Sequence, residues 1–158
     1  MRMTTTQCRD EFSGARVARL ATVSAVGVPH LVPVTFALIE AALPGIVPTA
    51  VAADGVAQLV VFAVDHKPKS TTALRRLDNI AANPRVSFLV DCYDDDWDQL
   101  WWVRADATAA IVDGPDRRRA IAALQAKYPQ YQRVVPQGVV VGAAVSNWSG
   151  WRSTSEGS

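Results

Sequence analysis

Leu100-Trp101-Trp102-Val103-Arg104-Ala105-Asp106-Ala107-Thr108-Ala109-Ala110-Ile111 is the stretch whose reading decides the fold. Trp101, Val103, Ala105, Ala107, Ala109 and Ile111 alternate with Trp102, Arg104, Asp106 and Thr108. A period of two predicts a strand with one buried face, because successive side chains of an extended chain point to opposite sides. Trp102 and Arg104 then share the other face. An exposed Trp–Arg pair suits stacking on a planar ring or burial at a subunit interface; the plainer reading is a capped core edge.

Working upstream, Val86, Phe88 and Val90 alternate in the same way, after Pro84 ends a helix. Ser70 is placed to cap that helix, and Leu74, Leu77 and Ile80 recur at helical spacing. Before it, Gln58 to Val64 is a dense β-branched run that predicts a strand. Arg16 to Val23 predicts a first strand, a turn follows at Ser24-Ala25-Val26-Gly27, and a second strand runs from about His30 to Ile39. Pro33 lacks a ladder donor and marks an edge or a bulge. Between Glu40 and Ala57 the chain is longer than a tight hairpin needs, and Ile46 to Val51 reads as a short strand in a hairpin extension.

Downstream, Gly114-Pro115 opens a second helix with Ile121, Leu124 and Tyr128 turned inward, and Pro129 closes it. Val139 to Val145 is apolar throughout and predicts a central strand. About six strands and two helices without regular β-α alternation make the fold mainly β, an antiparallel barrel with its helices outside.

At 158 residues the chain suits one domain, residues 1–152, followed by a disordered polar tail at 153–158. A net charge of +1 gives no field that would draw it to nucleic acid or an anionic membrane. No stretch approaches the ~18 apolar residues of a membrane span, and the polar N-terminus lacks the apolar run of a signal peptide. Cys8 and Cys92 lie far apart without metal-ligand spacing, which fits a reducing cytoplasm while leaving a disulfide open.

Four motifs carry chemistry or exclude it. His66-Lys67-Pro68-Lys69-Ser70 lies between a strand and a helix start, where two ammonium groups, a hydroxyl and free N–H groups make a phosphate cradle. The competing reading is a solvated lysine-rich turn. Asp94-Asp95-Asp96-Trp97-Asp98 lacks the ligand pattern of a calcium loop and reads as a solvated turn, so no metal site is expected. Trp148-Ser149-Gly150-Trp151-Arg152 must dock on the barrel or on a partner subunit. With no GxSxG, HExxH, P-loop or GxGxxG, and only His30 and His66 as histidines, no catalytic residue or general acid is identifiable. Any chemistry would be carried by a bound cofactor.

The segments RVARLATV (Arg16–Val23), PHLVPVTF (Pro29–Phe36), VDHKPK (Val64–Lys69) and LWWVRAD (Leu100–Asp106) together resemble the PPOX-class, coenzyme F-420-dependent oxidoreductases, relatives of pyridoxamine 5′-phosphate oxidase. The resemblance spans about residues 12 to 152. It implies a split β-barrel homodimer with two cofactor sites at the subunit interface, transferring a hydride between reduced deazaflavin and a small organic substrate. It makes Lys67 and Lys69 phosphate ligands beside His66 and Ser70, lines the ring with Pro33, Val34 and Thr35, brings His30 within reach, and has Trp102 and Arg104 arrive from the other subunit. Members of this family also bind FMN or haem, so an FMN-dependent oxidase and a non-catalytic binding protein stand as alternatives.

Overall fold

A computed structural model describes residues 1–41, 57–64 and 71–154. The elements run α1 (Thr5–Gly14), β1 (Ala18–Val23), β2 (Pro29–Val34), β3 (Ala37–Ala41), β4 (Ala57–Ala63), α2 (Thr71–Ala82), β5 (Arg85–Cys92), β6 (Trp101–Ile111), α3 (Gly114–Lys127), α4 (Pro129–Arg133) and β7 (Val140–Arg152). The strand expected at Ile46 to Val51, the loop between Glu40 and Ala57, and the end of the tail lie outside the described residues.

All seven strands pair antiparallel in one sheet ordered β2-β1-β5-β6-β7-β4-β3. Its two end strands are neighbours in sequence, joined only by Thr35 and Phe36. The three Cα–Cα steps from Val34 to Ala37 span at most about 11 Å, so the sheet curls until its ends meet at that corner. The single strand expected from His30 to Ile39 is therefore broken in two: β2 pairs with β1, and β3 pairs with β4 at the opposite end of the sheet. Pro33 sits opposite Arg19 on the end strand β2, where its missing N–H removes no interior ladder bond.

The interior holds Leu20, Phe36, Phe62, Phe88, Val90 and Val103, all inaccessible to solvent, and α1 closes one end with Cys8 and Phe12. Phe12 packs against Phe36, Phe88 and Trp148 with ring centroids 4.7, 6.3 and 5.2 Å away. A second apolar layer lies on the other side of β4 and β7: Leu59, Val61, Val140 and Ala144 pack under Ala120, Leu124 and Tyr128. Both faces of β4 and β7 are thus covered, which is why these strands read as continuous apolar runs rather than alternating ones.

Several expectations need correction. α1 was absent from the sequence reading, although Thr4 and Gln7 form a reciprocal capping box (Gln7 N to Thr4 Oγ1 3.2 Å, Thr4 N to Gln7 Oε1 2.8 Å). Pro129 closes α3 but also opens the short helix α4. The last strand continues to Arg152, so Trp148 and Trp151 are strand residues paired across from Ala105 and Trp102. One extra residue, Ser146, sits in a bulge of that strand opposite Asp106 and Ala107. Ile111 ends β6 at 53% exposure, and Val112 takes the buried place beneath α3.

Candidate functional site

The corner between β2 and β3 is built by the end of α3. Tyr128 Oη accepts from Phe36 N at 3.1 Å and donates to Arg16 O at 2.9 Å, replacing the ladder bonds the chain forfeits as it crosses between strands. Tyr131, on α4, shares a 2.6 Å hydrogen bond with Thr35 Oγ1. Two cations flank these rings. The Arg16 guanidinium lies 5.1 Å from the Tyr128 ring centroid, and Lys127 Nζ lies 3.7 Å from that of Phe36 and 5.3 Å from that of Tyr128.

Lys127 Nζ is buried and finds no hydrogen-bond partner among the described residues. Burial, and secondarily the positive charge of Arg16, lower its pKa from 10.5 to about 8. Burial likewise raises the Tyr128 pKa, outweighing the N–H of Phe36 and the charge of Arg16, so its hydroxyl stays neutral. Neither cation has an ion-pair partner among the described residues. The corner is therefore a positively charged, aromatic-lined place on the strand segment where a planar anionic molecule was expected.

The outer face of β2, β1, β5 and β6 forms a second feature. Among the described residues no element covers it, whereas α3 covers the outer face of β3 and β4. Arg19, Leu31, Leu89, Asp91, Trp102 and Arg104 line a groove of about 710 Å³ there. Leu31 is 69% and Trp102 37% exposed. Ion pairs edge the groove, Arg19 with Asp91 at 3.2 Å and Arg104 with Asp106 at 3.0 Å. Asp106 also accepts from Ser87 Oγ at 2.8 Å and Asn147 Nδ2 at 3.3 Å. Burial, the largest single influence on Asp106, raises its pKa, but these hydrogen bonds and the charge of Arg104 together outweigh it and hold the carboxyl below its usual value.

The residues singled out from sequence fall in three places. Thr35 lies at the corner and Val34 is buried beside it. Pro33 is exposed on the edge, and Trp102 and Arg104 lie on the uncovered outer face. His30 faces inward opposite Thr22, at the far end of β2, beneath α2. His66, Lys67, Lys69 and Ser70 lie outside the described residues. The groove lined by Trp102 and Arg104 does not include Thr35. Arg16, Lys127, Tyr128 and Tyr131 were missed as site residues. Tyr128 was read only as a core position, and nothing in a local pattern says that a helix end will reach a strand corner more than 90 residues upstream.

The sequence matches the family described as Pyridoxamine 5′-phosphate oxidase over residues 4–152. The chain belongs to that family. Its fold is the family's split barrel, as the four segments quoted from the sequence had implied. Three solved structures show the same fold. A FAD-binding protein from Mesorhizobium loti is 18% identical, with 95% of each chain covered and a TM-score of 0.64. A conserved hypothetical protein from Mycobacterium tuberculosis is 24% identical over 95% of this chain and 85% of its own, also at 0.64. The haem storage protein HutZ from Vibrio cholerae is 16% identical over 96% and 95%, at 0.61. No curated protein matches the sequence. Among the described residues no helix is long and apolar enough to cross a membrane, and no group of His, Cys, Asp and Glu is arranged to hold a metal ion.

Proposed function

We propose that this pyridoxamine 5′-phosphate oxidase family member is a coenzyme F-420-dependent oxidoreductase that passes a hydride between reduced deazaflavin and a small organic substrate. The observation that carries the reading is the corner: Arg16 and Lys127 hold two positive charges around Tyr128 with no described counter-ion, on the strand segment where the ring is expected. A buried ammonium without a partner is costly, and an anionic ligand relieves that cost. The residues present therefore suit a flavin-type group with a phosphate.

When bound, a deazaflavin supplies the hydride chemistry; the chain supplies position and charge. Pro33, Val34 and Thr35 line the ring, and Tyr131 fixes the Thr35 hydroxyl. Lys67 and Lys69 with the start of α2 take the phosphate, and His66 and Ser70 flank them. His30 is assigned to the same strand's inward face. Trp102 and Arg104 contribute from a second copy of the chain, whose uncovered sheet faces pair in a cytoplasmic homodimer. Free Cys8 and Cys92 support that compartment.

The test is fluorescence titration with F-420 and, separately, FMN, on the wild type and on Lys69→Ala. F-420 is expected to bind more tightly, and Lys69→Ala to weaken it by roughly one to two powers of ten. A preference for FMN replaces the deazaflavin with an FMN-dependent oxidase reading. Binding of neither cofactor removes the proposal.

A further inference from the structure

We infer that the two cations of the β2–β3 corner hold the carboxylate of a flat, conjugated organic acid, the substrate of the proposed hydride transfer. Naming that acid the substrate rests on the deazaflavin reading; the acid site itself does not. In that reading the cofactor's phosphate goes to Lys67 and Lys69, and a ring lying along Pro33, Val34 and Thr35 requires no cation. The charge of the corner is left over. Lys127 Nζ lies 3.7 Å from the ring centroid of Phe36 and 5.3 Å from that of Tyr128. Arg16 stands exposed beside the same Tyr128 ring, 5.1 Å from its centroid.

The hydroxyls around these cations are already committed. Tyr128 Oη accepts from Phe36 N and donates to Arg16 O, while Tyr131 Oη and Thr35 Oγ1 share one hydrogen bond. Buried Lys127 Nζ has no acceptor among the described residues, a state that a native structure must account for. The Arg16 guanidinium forms no ion pair among them either. The titratable groups facing Lys127 are Arg16 and Tyr128, with Tyr131 packed edge-on against the Tyr128 ring. Ammonium and guanidinium are donors only, so the group that satisfies both is a pure acceptor. A carboxylate presents one oxygen to each and accepts charge-assisted hydrogen bonds. The rings of Phe36, Tyr128 and Tyr131 favour a planar, unsaturated body behind it.

The chain has three lysines, Lys67, Lys69 and Lys127. In protein carrying isotope-labelled lysine, the Cε resonance of Lys127 is therefore assigned by its loss in Lys127→Met. Cinnamate is the probe and cinnamamide its neutral counterpart, added to cofactor-free protein and again in the presence of F-420. Without ligand the Lys127 signal titrates at about pH 8. Saturating cinnamate is expected to raise that midpoint by about one pH unit, equivalent to about tenfold tighter binding to the ammonium than to the amine. Cinnamamide is expected to leave it in place, and Arg16→Gln to weaken cinnamate by about tenfold. A midpoint unmoved by about 10 mM cinnamate, where a millimolar site is largely filled, overturns the inference. So does an equal response to cinnamamide, an Arg16→Gln titration identical to wild type, or loss of the cinnamate response when F-420 binds, which gives the corner to the cofactor. The full cinnamate response in a protein that binds no F-420 supports the acid site and removes only the deazaflavin reading.

Discussion

Replacing Lys127 with methionine keeps an unbranched side chain beside the Phe36 ring and removes the charge. A pKa lowered from 10.5 to about 8 corresponds to about 3.4 kcal/mol of selective disfavour of the ammonium. The corner remains in contact with solvent, so screening cuts this to about 1–2 kcal/mol. The ring face 3.7 Å away returns about 0.5–1 kcal/mol to the charged form. The variant is therefore expected to be more stable than wild type by about 1 kcal/mol at pH 7, raising Tm by about 2–4 °C. Between about pH 8 and 10.5 the unfolded chain binds more protons than the folded one, so wild-type stability rises with pH through that window and the gap closes. Thermal melts from pH 6 to 10.5 on cofactor-free protein measure both. A variant less stable at pH 7, or a gap that persists at pH 10.5, would falsify the assignment of Lys127 as a strained cation.

Asn79→Ala leaves the buried Thr22 hydroxyl without its 3.0 Å partner and is expected to cost about 1–3 kcal/mol in urea unfolding; a loss under about 0.5 kcal/mol means the pair is dispensable. The depressed pKa of Asp106 contributes stability that is present above its ordinary value of 3.8 and lost as pH falls through the folded value. Asp106→Asn should therefore unfold more readily than wild type at pH 7, with the difference shrinking below pH 4; a deficit independent of pH argues against the carboxylate. If the uncovered sheet face is a subunit interface, light scattering will report a dimer at micromolar concentration and Leu31→Glu will shift it to monomer. A monomeric wild type ends that reading.

Much of the sheet was legible because its signal is local. β5 and β6 alternate strictly, since each has one face on the core, and β7 reads as apolar because α3 covers its second face. The break at Thr35 and Phe36 was not legible, because PHLVPVTFALI keeps its β-forming composition through the corner. What breaks the strand is the competition of two different partners, β1 and β4, for its halves. α1 escaped because its helical face carries only Cys8 and Phe12, although the Thr4–Gln7 capping box was there to read. Thr35, now found at the corner, had been singled out from the family resemblance, and the outer-face position of Trp102 and Arg104 was legible from strand periodicity. Arg16, Lys127 and Tyr131 were not, because their meeting is tertiary.

The strand order has a consequence for synthesis on the ribosome. β4, with Leu59 to Phe62 wholly buried in the finished protein, has only β3 beside it until β7 is made. Roughly 80 residues separate Phe62 from Val140, several seconds of translation at about 5–20 residues per second. α1 waits longer still: Cys8 and Met3 pack against Gly150, where even a methyl group would lie 2.6 Å from the Cys8 sulfur. The first helix and the most apolar strand of the nascent chain are both completed by the last strand to emerge. A chain interrupted before Val140 carries an unpaired apolar edge, the kind of surface that chaperones exist to cover.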